Sequence, residues 1–185
     1  MSTHNDSIDK NRLDKTRHWL EAAVIGLNLC PFAKAAYTKD KIRFVVSDAK
    51  DEEHLLHTLS DELKLLENTP IDEIETTLII HPDVLKDFFD YNDFLSLAEG
   101  LLTDHELDGE IQIASFHPDY QFAGTQKEDP TNNTNRSPYP MMHLLREDSI
   151  DKALDSDQNA DAIIERNTTT MRELGQAGWQ RLMSQ

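Results

Sequence analysis

Apolar positions along this chain fall into two rhythms, one helical and one extended. Leu13, Leu20, Val24 and Leu27 recur at helical spacing, with Trp19 and Ala23 beside them, which predicts a helix over 9–27. Residues 1–8 carry no such stripe and are expected to form a disordered tail. Leu55, Leu59, Leu63 and Leu66 make a second helical stripe, preceded by Ser47 and Asp48, residues suited to capping it. Short runs rich in β-branched residues read as strands at 42–46, 76–80 and 110–116. His81-Pro82-Asp83 is expected to open another helix, broken near Tyr91 and Asn92 and restarted through Phe94, Ala98 and Leu101. Asp108-Gly109 marks a turn. The C-terminal part reads as helical over 140–147, around 150–154 and over 159–182, where Ile163, Ile164, Asn167, Met171, Leu174 and Gly178 share a stripe.

Three strands separated by helices predict an α/β fold. The sheet is expected to be small and mainly parallel, three-stranded with room for a fourth, with helices packed on it and the N- and C-terminal helices covering its faces. With 185 residues, one domain over 9–185 is the expectation. Between 117 and 138 no period is visible. Structureless loops longer than about 12–15 residues are uncommon in small domains and are often functional. Tyr120, Phe122 and Tyr139 give this one apolar anchors, and Pro118, Pro130, Pro138 and Pro140 restrict it, so it is expected to be ordered.

Charge removes several function classes. The net charge is -17, from 18 basic and 35 acidic residues, with no basic run. Phosphate backbones are bound by lysine and arginine, so nucleic acids are excluded as expected partners, and anionic membranes with them. A basic protein partner stays open. The opening residues lack the apolar core of a signal peptide, and no stretch approaches the roughly 20 apolar residues of a membrane span. With one cysteine, Cys30, no internal disulfide can form, and the cytoplasm is the expected compartment.

Candidate chemistry gathers in three places. Parallel strands bring their C-terminal ends to one edge, where ligands usually bind. Here those ends are Asp48, His81 and His117, a set of candidate metal ligands, with His117 also a candidate general base. Cys30 precedes Pro31, which suits the first position of a helix, and a helix N-terminus favours thiolate. It is therefore a candidate nucleophile, a metal ligand or an inert core thiol. Arg136 lies among small polar residues in the irregular segment, as either an anchor for a substrate carboxylate or phosphate or a pin to an internal acid. Tyr120, Tyr139 and Asn135 are candidate substrate contacts beside it. His143, placed in the expected helix 140–147, reads as structural.

Several segments carry a resemblance: Gly26-Leu27-Asn28-Leu29-Cys30-Pro31-Phe32-Ala33-Lys34, Ser115-Phe116-His117-Pro118 through Tyr120-Gln121-Phe122-Ala123-Gly124, and Asn135-Arg136-Ser137-Pro138-Tyr139-Pro140 with His143-Leu144-Leu145-Arg146-Glu147. With Thr16 to Leu20 and Tyr91 to Leu95, they resemble a bacterial family known only as a domain of unknown function. The resemblance implies a stand-alone bacterial protein of about this size and supplies no catalytic residues. Three readings follow from the residues. The first is a small-molecule enzyme using Cys30 and His117, with Arg136 holding an anionic substrate. The second is a metal protein, and the third a non-catalytic acidic interaction protein. No cofactor and no oligomeric state is indicated.

Overall fold

The computed structural model describes residues 2–154 and 160–184, and for residues 2–5 the backbone alone. The first helix, α1, spans Ser2–Trp19 and runs on into one π-helical turn, Leu20–Ile25. It therefore starts well before residue 9. No proline or glycine interrupts the residues ahead of Asp9, so nothing in the backbone stops the helix from extending towards Ser2. Met1 lies outside the described residues. There follow α2 (Ala33–Thr38), β1 (Ile42–Val46), α3 (Glu52–Asn68), β2 (Thr76–Ile80), α4 (Phe88–Asp104) and β3 (Ile111–Phe116). A 3-10 turn at Pro130–Thr134 leads to β4 (Met141–Arg146), then α5 (Glu147–Leu154) and α6 (Ala160–Met183). Asn159, where the sequence places the start of the last helix, lies outside the described residues.

Two helix starts differ from expectation. α3 is capped by Asp51, whose carboxylate accepts the His54 N–H at 2.8 Å, rather than by Ser47 or Asp48. α4 is unbroken and begins only at Phe88, with Asp87 accepting the Phe89 N–H at 2.8 Å, so residues 81–87 form a loop. Tyr91 and Asn92 sit inside the helix.

The sheet order is β1-β2-β4-β3. β1 pairs with β2 in parallel, while β4 runs antiparallel to both β2 and β3. β1, β2 and β3 thus share one direction, but the sheet is mixed rather than mainly parallel. The cause is β4, which the sequence places in a helix. Its residues, Met-Met-His-Leu-Leu-Arg, lack β-branched side chains and favour helix intrinsically. Five of the six are buried, because the strand fills the gap between β2 and β3. A strand covered on both faces reads as a continuous apolar run, which periodicity cannot tell from a helix.

Side-chain alternation sends neighbouring residues to opposite faces. Ile79, Met142 and Leu144 join Leu55, Leu59, Leu63, Leu66, Tyr91, Phe94 and Ala98 of α3 and α4. Leu78, Ile80 and Met141 join Trp19, Leu20, Val24 and Ala36, with Trp179, Leu182 and Met183 of α6 packed at the margin. The N- and C-terminal helices therefore share one face and α3 with α4 covers the other, correcting the expectation that the termini cover both. No helix among the described residues is long and apolar enough to cross a membrane.

Candidate functional site

The strand register aligns Val46, Ile80, Met141 and Phe116 in one row. The residues after β1, β2 and β3 therefore leave from a single edge, as the sequence predicts for Asp48, His81 and His117. They do not form a metal centre: among the described residues no group of three His, Cys, Asp or Glu side chains could hold an ion. Asp48 is exposed to solvent, whereas both histidines are fully buried.

The two imidazoles instead organise loop 81–87. The Asp119 N–H donates to His117 Nδ1 at 3.0 Å, so Nε2 carries the proton and donates to the Leu85 carbonyl at 3.2 Å. His81 Nδ1 lies 3.3 Å from the Val84 carbonyl and donates to it. Tyr91 is in ring contact with both, its centroid 5.7 Å from His81 and 5.2 Å from His117. Its hydroxyl donates to the Met141 carbonyl and accepts from the Phe116 N–H, joining α4 to β3 and β4. Burial pushes His81 down to about 4 and His117 down as well. With both ring nitrogens engaged, His117 has no lone pair to offer as a general base.

Cys30 is on the other side of the sheet. It is half-buried and borders an apolar cavity of about 110 Å³ beneath α1 and the π-helical turn. Burial pushes its thiol up to about 11, so it is protonated at neutral pH, contrary to the activated thiolate that Pro31 suggests. The physical reason is burial, which outweighs the Ala33 and Phe32 N–H groups that pull the thiol down from the helix start. α2 begins at Ala33 and is only one and a half turns long, too short to offset desolvation. The sheet separates Cys30 from His117, and they do not make the nucleophile–base pair that their residue types suggest.

The irregular segment is ordered, and its centre is a residue the sequence reading passes over. Asn132 is fully buried; its Oδ1 accepts from the Phe122 N–H and the Thr125 hydroxyl, and its amide donates to the Gln126 carbonyl. The Asn135 amide donates to the Ser115 carbonyl, which makes it a tie rather than an evident ligand contact. Tyr120 packs its ring on Phe88 and Phe122, at centroid distances of 5.1 and 5.0 Å.

Arg136 closes the segment. Its Nε donates to the Tyr120 carbonyl at 3.2 Å, Nη2 to the Lys127 carbonyl at 2.6 Å, and Nη1 to Asn133 Oδ1 at 3.4 Å. Its own carbonyl accepts the Trp19 indole N–H at 2.8 Å. Among the described residues no carboxylate pairs with the guanidinium, so the expected pin to an internal acid is a set of neutral oxygens instead. Desolvation is the main pull on this group and moves its pKa down. Arg136 borders a cleft of about 790 Å³ between α1, α6 and the segment's end. Tyr139 and Trp179 line it, with Lys15, His18 and Asp14 from α1 and Gln176 from α6. Of the sequence candidates, Arg136 and Tyr139 meet in this concavity. The sequence does not single out Lys15, and His18 reads from it as a solvated histidine, because nothing in their spacing reveals that α6 packs beside them.

No curated protein and no solved structure matches the chain. The model of one family, described as "Protein of unknown function (DUF1415)", matches residues 11–181, nearly the whole chain, and the protein belongs to that family.

Proposed function

We propose that this chain binds a small anionic organic molecule in the cleft bordered by Arg136. The observation that carries this reading is the state of the guanidinium, which is fixed in orientation by three oxygen acceptors, none of them a carboxylate. Arginine has five N–H donors in a planar fork, so Nη1 and Nη2 each have a second N–H beyond the bonds described. A carboxylate or phosphate takes two such donors in parallel. Lys15 adds positive charge on the same cleft and offsets Asp14 there, in a chain whose net charge is -17. Tyr139 and Trp179 supply flat apolar walls suited to the organic body of a ligand. Arg146 makes a useful contrast. It too donates to carbonyls, those of Leu66, Thr69 and Ile74, but its groove is lined by Glu67, Glu110 and Asp148, which repel an anion.

The reading is one of binding. Turnover by Cys30 and His117 gains no support, since each is engaged in different surroundings. A single thiol and an acidic surface suit the cytoplasm, where we place the protein, with 9–185 acting as one domain.

The test is to follow the unfolding temperature while titrating inorganic phosphate, citrate and benzoate. At least one is expected to raise it in a saturable way, and Arg136→Ala is expected to lose that response. The substitution also leaves the Tyr120 and Lys127 carbonyls without their donor, costing about 1–3 kcal/mol, so the readout is the response to anion and not the starting stability. A wild-type protein indifferent to all three anions, or an Arg136→Ala variant that still responds, rules the reading out.

A further inference from the structure

Helix α4 has two sides of unlike character. Tyr91, Phe94, Ala98 and Leu102 turn towards the sheet and are buried. On the outward side Phe89, Asp93, Leu97, Gly100 and Asp104 follow one another at helical spacing, three or four residues apart. Phe89 is 71% exposed and Leu97 52%. Single exposed apolar residues are normal on a surface, but two large ones about 12 Å apart along one stripe make a patch. Gly100 lies on the same stripe in ordinary helical conformation, with nothing within 4 Å of where a Cβ would stand. Alanine would fit there and would strengthen the helix, so nothing inside the molecule calls for glycine. What a missing side chain does allow is the close approach of another backbone.

Charge says what would cover this stripe. α3 and α4 together carry nine acidic residues and one basic residue, Lys64. Glu62 is paired with Arg43, whereas among the described residues no cation is paired with Asp90, Asp93, Glu99 or Asp104 of α4. Lys10, Arg12, Lys15 and Arg17 lie on α1, which covers the other face of the sheet. We propose that the outward stripe of α4 docks a basic amphipathic helix of another protein. Its apolar side chains would rest on Phe89 and Leu97, its backbone would cross at Gly100, and its lysines or arginines would stand beside Asp93 and Asp104. A second copy of this chain does not suit, because apposing two such acidic layers sets like charges against each other. An anionic membrane is unsuited for the same reason. The stripe lies across the sheet from the Arg136 cleft and does not depend on what binds there.

The probe is a fluorescently labelled peptide of about four helical turns, built from leucine and lysine in an amphipathic pattern, with a leucine–glutamate peptide of the same pattern as its counterpart. Fluorescence anisotropy at physiological salt is expected to show saturable binding of the lysine peptide and none of the glutamate peptide. Phe89→Ser combined with Leu97→Ser is expected to weaken binding about tenfold or more. Ile164→Ser removes an apolar side chain that is 61% exposed on α6 and is expected to leave binding unchanged. Gly100→Gln is expected to weaken binding by a similar factor while the unfolding temperature stays level or rises, a split that a merely structural glycine would not give. A lysine peptide that does not saturate overturns the inference, as does a glutamate peptide that binds equally well. So does wild-type affinity in the double serine variant or in Gly100→Gln, since the attraction would then belong to the charge of the whole chain. Sedimentation showing that the protein alone is a dimer, dissociated by the double serine variant, overturns it in favour of a second copy.

Discussion

The two faces of the sheet are built from similar numbers of apolar residues and are finished differently. On the α3–α4 face the leucine stripe Leu55, Leu59, Leu63 and Leu66 meets Ile79, Met142 and Leu144 with every one of these side chains fully buried. Tyr91 there bridges two strands and both histidines hold loop carbonyls, although His81 Nε2 and Thr77 Oγ1 are buried without a partner. On the α1–α6 face the layer is interrupted by an enclosed cavity, an unpartnered imidazole and the open cleft. Close-packed interiors leave few voids larger than a water molecule. The contrast teaches that one face secures the fold, while the other keeps space that stability alone would fill.

The comparison is sharpened first where the largest effect is expected. Leu63→Ala removes a fully buried side chain from the closed face, where neighbours on all sides prevent collapse. A loss of roughly 2–5 kcal/mol is expected in urea denaturation, and a loss under 1 kcal/mol would mean that face is not the rigid one.

Acid tests the imidazoles of both faces together. His81 and His143 are each held from 6.5 down to about 4, so the unfolded chain binds more protons between those values. Stability should therefore fall as pH drops through 6.5 towards 4, by up to ~1.4 kcal/mol per pH unit from each. It should be flat from these groups above 7. His143→Leu should remove one of the two shares and leave that of His81, which is read from the slope of unfolding free energy against pH.

The smallest effect has the opposite sign. Ala114→Val fills part of the cavity with a side chain suited to a strand, and a gain of about 0.5–2 kcal/mol is expected. The same enlargement on a filled face would destabilise by strain. A loss on thermal or urea unfolding would show that the open face has no room to spare.

Much of this arrangement is legible in the chain. The strands at 42–46 and 76–80 coincide with the runs of Ile, Val and Thr, and β3 lies within the expected 110–116. The shared edge of Asp48, His81 and His117 follows from those strands alone, and so does the order in the irregular segment. β4 is not legible, because its helix-favouring residues are overruled by burial on both sides. That single strand also hides the cavity. Read as helical, His143 is a structural histidine on an unassigned face; as the third residue of a buried strand it borders the cavity, with Leu78 and Ala114 as cross-strand neighbours. Cys30 misleads for a related reason, since whether a thiol faces water or an apolar wall depends on what the distant β4 brings opposite it. Arg136 is identifiable by its setting, but the neutral oxygens that hold it come from residues 3 to 16 positions away through an irregular path that no periodicity encodes.

The position of β4 also bears on how the molecule assembles in time. Among the described residues β3 pairs with β4 alone, and β2 meets β4 across a separation of some 60–70 residues, as in the pairing of Thr76 with Leu145. The β1–β2 pair with its α3 crossover and the β3–β4 pair, 25–35 residues apart, are each closer in sequence than β2 and β4, whose pairing joins them. Closing such loops precedes any reward from the contacts they bring, which slows folding. Docking of this one six-residue strand completes the layer of side chains on both faces at the same moment.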